Sequence, residues 1–215
     1  MNISKKILIA ILSVFVVTGY SCKKGENDPG FTLKTRKARI TAEWKLKEGQ
    51  IVEETIEGKN FSTKVISFDG EKMSYEGKSL PYSEILTIER DGTFSKTLKS
   101  TTDYNVSQNE SPKIIDITTN QTGVWYFIGG SKNQEYEKKE RVAFETLSIV
   151  TSSSEAAYTP ISEKYTGTQN AEILVLDRLA RTEIVITIDN SVEYNNENGE
   201  LFRRTSKGTL TYEKN

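Results

Sequence analysis

Histidine is absent from the 215 residues, and cysteine occurs once, as Cys22. Without imidazole the chain lacks the commonest general base at neutral pH and the commonest metal ligand. Hydroxyls and carboxylates are what remain for chemistry. Ser152, Ser153 and Ser154 stand in a polar run without the strand–turn–helix context that exposes a nucleophilic serine. Glu53/Glu54 and Glu71/Glu76 are carboxylates of the kind that cleave glycosides in pairs. With 30 acids in the chain such pairs arise by chance, and no aromatic arrangement singles one out. Residues 189–200 are rich in oxygen ligands and contain Gly199, but they lack the spacing of an EF-hand loop. A turn held by Asn side chains accounts for the same residues. The expectation is a protein that is not an enzyme and carries no cofactor and no metal.

Cys22 marks a border. Lys5 and Lys6 precede an uncharged apolar run, residues 7–20, and Lys, Gly, Glu, Asn and Asp follow the cysteine. The run is shorter than the roughly 20 residues a helix needs to span a bilayer, and it fits the apolar core of an export signal. A buried N-terminal helix is the competing reading, but no apolar partner pattern follows it. With small Ser21 before it, Cys22 resembles the lipidated cysteine of bacterial lipoproteins, which implies acylation there and removal of residues 1–21. Gly19 and Tyr20 depart from the usual lipobox, and Gly19-Tyr20-Ser21 also fits the small-x-small site of ordinary signal cleavage. A lone cysteine in an exported protein is otherwise unexplained, and more than one acyl chain anchors stably. Acylation would remove the thiol from nucleophilic and zinc chemistry. Glu26 and Asp28 resemble the acidic export signals of surface lipoproteins of the Bacteroidota. That resemblance implies a lipid-anchored outer-membrane protein, on the cell surface rather than the periplasmic face; a plain polar tether reads equally from the same residues.

Loss of residues 1–21 removes two of 29 basic residues and no acid, leaving 27 against 30. Such a balance offers no broad attraction to nucleic acid. Lys34, Arg36, Lys37 and Arg39 form a small basic cluster, expected as a solvated face of the linker, with phosphate-rich headgroups or glycan as the other candidates.

Three parts follow: a signal over 1–21, a flexible tether over 22–36 and one domain over 37–215. The domain, about 180 residues, is large enough for a real core. Its dominant signal has period two. Ile40, Ala42, Trp44 and Leu46 share one face, and Thr41, Glu43, Lys45 and Lys47 share the other, as in a half-buried strand. Asp69-Gly70, Asp91-Gly92 and Asn198-Gly199 mark hairpin turns, because glycine tolerates the positive φ of primed turns. Further strands are expected over 113–118, 123–130, 141–150, 172–178, 183–189 and 208–215. The run 171–181 has the one plausible helical pattern, though its β-branched residues favour a strand with a bulge near 179–181. The pattern predicts an all-β fold, an antiparallel up-and-down barrel of about 8–10 strands, closed so that no edge is exposed.

Within that pattern, Ala42-Glu43-Trp44 stands where a Gly-x-Trp motif opens the first strand of lipocalin-like lipoproteins of the Bacteroidota, in the wider calycin group. Asp91-Gly92-Thr93-Phe94 and Gly123-Val124-Trp125 add to the likeness, with Ile173/Leu176 or Leu176/Leu179 echoing a late I-x-x-L strand. The chain over 37–215 resembles that group, which implies a barrel whose interior is packed shut or holds a small apolar or amphipathic ligand. The matching Trp of calycins mostly closes the barrel floor, and Trp44 is expected there. Tyr75, Phe94, Trp125, Phe127, Phe144 and Tyr212 are expected to complete the barrel lining and any ligand contact; Tyr126 should point outward or sit at a rim. Residues 152–170, the longest stretch without alternation, read as a lid over the mouth or a surface loop, with Tyr158, Ile161 and Tyr165 as its apolar contacts. Two functions stay open: a lipid-anchored barrel binding a small hydrophobic ligand, or a filled barrel serving as accessory subunit of an envelope complex.

Overall fold

Strands account for nearly every regular element of this chain, and they form because apolar and polar side chains alternate along them. The computed structural model describes residues 34–104, 113–128, 140–155, 158–195, 199 and 201–215. Cys22 and the tether as far as residue 33 lie outside the described residues, and the last residue of the expected tether, Arg36, opens a helix. A five-residue helix, α1 (Arg36–Ile40), leads into β1 (Ala42–Glu57), β2 (Asn60–Phe68), β3 (Lys72–Tyr75), β4 (Lys78–Ile88), β5 (Thr93–Tyr104) and β6 (Lys113–Phe127). Then come β7 (Glu140–Ser153), β8 (Ile161–Lys164), a 3₁₀ turn at Gly167–Asn170, β9 (Ala171–Leu179), β10 (Glu183–Asn195) and β11 (Leu201–Lys214).

Neighbours in sequence are neighbours in the antiparallel sheet, except that β9 returns to pair with β7 beside β8. The ring is closed by β11 on β1 and by β6 on β7, giving a ten-stranded antiparallel barrel with β8 as an added strand. The strand count depends on height. At the floor, Ala42–Lys45 of β1 pairs directly with Ile85–Ile88 of β4, so β2 and β3 are bypassed there. Higher up, that hairpin wedges between β1 and β4 and widens the ring.

Three bulges re-aim the strands, one of them at Asp177 of β9 against Val185 and Ile186 of β10. Lys47 is the extra residue of β1 against β11, and Leu147 is the extra residue of β7 against β6. Beyond the bulge, Gly49 and Ile51 take the inward positions that Trp44 and Leu46 hold below it.

The core fills the lower lumen, where Trp44, Leu46, Leu86, Ile88, Phe94, Trp125, Val142, Phe144, Leu176, Ile184, Ile186 and Tyr212 are all buried. Each large side chain so buried contributes about 1.5–3 kcal/mol. Above the core the strands flare. β10 pairs with β9 only as far as Thr187, and β2 pairs with β3 only at Ser67 and Phe68. Residues 188–195, 201–207, 52–57 and 60–66 therefore continue as a four-stranded sheet, β10–β11–β1–β2, rising roughly 25 Å past Thr187 at about 3.3 Å per residue. Among the described residues no strand pairs with its two outer edges.

Several boundaries differ from the sequence reading. Arg36–Ile40 is helical, so Ile40 belongs to a cap and β1 starts at Ala42. The strands expected over 113–118 and 123–130 are one strand, Lys113–Phe127, and the polar run between them alternates like the rest, Thr119 and Gln121 half-buried and Asn120 and Thr122 exposed. Residues 171–179 are strand, as their β-branched content favours, with the register shift against β10 at Val185/Ile186. The segment 152–170 is no separate lid: β7 runs through Ser153, and Ile161–Lys164 joins the wall beside β7.

Candidate functional site

The lumen is where the aromatic residues singled out in sequence converge. Its floor is α1. Thr35 caps the helix by accepting a hydrogen bond from the Ala38 amide at 3.2 Å. Two of the four basic residues in this segment turn inward instead of facing solvent. Arg39 is buried and donates to the Leu179 carbonyl at 2.5 Å, and Arg36 pairs with the carboxylate of Glu140 on β7. The Arg36 guanidinium also sits 5.9 Å from the Phe127 ring centroid, and the Lys37 ammonium 6.0 Å from that of Trp125. Half of the solvated basic face expected here is thus a clamp across β7 and the β9–β10 turn, while Lys34 and Lys37 are exposed.

Trp44 is fully buried against this cap, its indole donating to the Ile40 carbonyl at 2.7 Å. Phe94 and Phe144 meet edge-to-face at 5.0 Å, and Trp125 and Phe127 do so at 5.5 Å. The Trp125 indole donates to the Glu89 carbonyl at 2.8 Å, which ties β6 to the β4–β5 turn. Tyr126 points outward and donates to Glu145 at 2.6 Å. Five of the named aromatics therefore pack on one another or on the cap. Tyr212 lies above them, and Tyr75 is separate, near the rim on β3 with the Lys64 ammonium 4.0 Å from its ring centroid.

A polar layer crosses the lumen above the aromatics, and sequence reasoning missed its centre. Glu84 is 5% exposed, and its two carboxylate oxygens accept hydrogen bonds from the Tyr82 and Tyr212 phenols, each at 2.7 Å. Burial first, and then the negative charge of Glu84, push both phenols well above the usual tyrosine range. A signal for Glu84 was present: it stands in phase with Leu86 and Ile88 on the buried face of β4. Glu84, Phe94, Phe144, Glu172 and Tyr212 line a cavity of about 30 Å³, room for a water molecule or two.

The carboxylate pairs of the sequence reading do not come together as acid and base. Glu53 and Glu54 point to opposite faces, toward Arg204 at 2.6 Å and the Thr205 hydroxyl at 3.5 Å. Glu71 and Glu76 occupy turns at either end of β3. Among the described residues no group of three or more Asp, Glu, His or Cys is close enough to hold a metal. Ser153 donates to the Asp116 carbonyl at 2.6 Å and accepts from the Glu155 amide, which commits it to the wall.

No protein-family model, curated protein or solved structure matches the chain. Among the described residues no helix is long and apolar enough to cross a membrane.

Proposed function

We propose that this chain is a lipid-anchored envelope lipoprotein whose barrel is a filled scaffold, an accessory subunit that offers its projecting sheet to a protein partner and catalyses nothing. The observation that carries the reading is the state of the lumen. A small-molecule site needs a few hundred Å³, whereas five of the aromatics that would line one pack together and, among the described residues, a cavity of about 30 Å³ is left beside Glu84.

The projecting sheet supports the second half. Val192 (55% exposed) and Tyr194 (53%) stand in water on one face of it, Tyr194 stacking on Phe202 at 4.8 Å, and Phe61 (65%) stands on the other face. Around them lie the ion pairs Glu53–Arg204, Glu193–Arg203 and Asp189–Lys207. Aromatic and arginine side chains among a polar rim are the composition of protein interfaces rather than of lipid-facing surfaces. The anchor is assigned to Cys22, with the outer membrane and the cell surface as its address.

Three measurements test the reading. Cys22→Ala should move the chain from the membrane to the soluble fraction of the envelope. Native mass spectrometry of the purified full chain should show no bound lipid or other apolar molecule. In solubilised membranes the wild type should migrate within a larger complex, and Phe61→Ser/Tyr194→Ser should release it while leaving it anchored. A stoichiometric apolar ligand would restore the ligand-carrier reading, and a wild type that migrates alone would remove the partner.

A further inference from the structure

From the outer wall we infer a second site, a binding groove for a small acidic sugar, which does not rest on the filled-lumen reading. The groove holds about 530 Å³, within the range of small-molecule sites. It runs over the outward side of β4, β5 and β6 beneath the β2–β3 turn. Ser83 alternates with the lumenal Tyr82 and Glu84, so Ser83 and its cross-strand partner Lys99 face out; Lys99 in turn faces Thr118, and Thr101 faces Asp116.

Thr101 points to a ligand. It is only 9% exposed, it lines the groove, and its hydroxyl has no hydrogen-bond partner among the described residues. A buried hydroxyl without a partner is a cost that native structures rarely carry, and a ligand hydroxyl removes it. The rest of the lining has matching chemistry. Lys45 and Lys99 stand on opposite sides of β4 with no ion pair among the described residues, and they suit a carboxylate. Ser83 and Thr118 offer hydroxyl partners to a polyol, and two carboxylates of the lining, Asp116 and Glu71, can accept from its hydroxyls. Pro81 gives the C–H face of a pyranose ring a surface to pack on. No aromatic face is available for stacking a base, since the Tyr82 phenol is committed inward to Glu84. One carboxylate and several hydroxyls on a ring, as in a hexuronic acid, satisfy the whole set.

The test is calorimetric titration of the full chain, in detergent at low ionic strength, with glucuronate and with a disaccharide containing it. Both should bind, neutral methyl glucoside and succinate should bind far more weakly, and added salt should weaken the interaction. Thr101→Val and Lys99→Gln should each lower affinity about tenfold, the loss of one well-placed hydrogen bond or charge contact. Thr101→Val should not lower the melting temperature, because it removes a hydroxyl without a partner and keeps the shape, so a loss of binding is not a loss of folding. Binding of succinate as tight as that of glucuronate, affinities unchanged in both variants, or no binding of either acidic sugar overturns the inference.

Discussion

The indole nitrogen of Trp44 donates to the carbonyl of Ile40, four residues earlier, at 2.7 Å, and both residues are fully buried. A side chain of the first strand thereby closes the end of the helix that plugs the barrel, and Arg39 fastens the same helix to the Leu179 carbonyl. Trp44→Phe keeps most of the ring but leaves a buried carbonyl without its donor, and should cost about 1–3 kcal/mol. Trp44→Ala should cost about 3–5 kcal/mol through the cavity it opens. Urea unfolding followed by circular dichroism reads both, and a Trp44→Phe variant of wild-type stability would show that the indole hydrogen bond does not hold the plug.

The Glu84 layer makes a statement about alkaline stability. Folding raises the phenol pKa values of Tyr82 and Tyr212 above the ordinary 10.0, mainly by burial. The folded state then holds protons that the unfolded state releases above about pH 10, so stability is fully present below that pH and falls as pH rises beyond it. Absorbance titration should show two tyrosines that ionise only with unfolding. Tyr82→Phe/Tyr212→Phe should flatten the alkaline limb while lowering stability at neutral pH, because the buried carboxylate loses both donors.

Gly123 sits where β6 crosses the bulge of β7. A Cβ there would run into the Glu145 carbonyl and come within 2.7 Å of the Phe94 ring. Gly123→Ala should destabilise by about 1–3 kcal/mol or more, since backbone on one side cannot yield. Thermal unfolding measures the cost, and Phe94→Leu in the same chain should recover part of it by relieving the ring contact.

Period-two alternation made the barrel readable from residues such as Trp44, Leu46, Leu86 and Ile88, all of which face inward and are buried. The turns at Gly70, Gly92 and Gly199 were readable too, and each has positive φ. Glu76-Gly77 was missed, although both residues have positive φ as in a primed turn, because no Asp or Asn marks it. α1 was missed for want of length: five residues cannot display a helical period, and Ile40 happens to fall in phase with Ala42. The meeting of Glu84 with Tyr212, 128 residues apart, depends on the register of strands joined only by ring closure. Alternation tells which face a side chain takes, not its neighbour across the lumen.

Eight strands, β1, β4, β5, β6, β7, β9, β10 and β11, encircle the floor, and ten encircle the level above. Since girth grows with strand number, the wall is a cone, narrow at the foot and wider at the brim. The chain enters at the foot, through α1. The four-stranded extension rises from the opposite end, so entry and extension are separated by the full height of the wall.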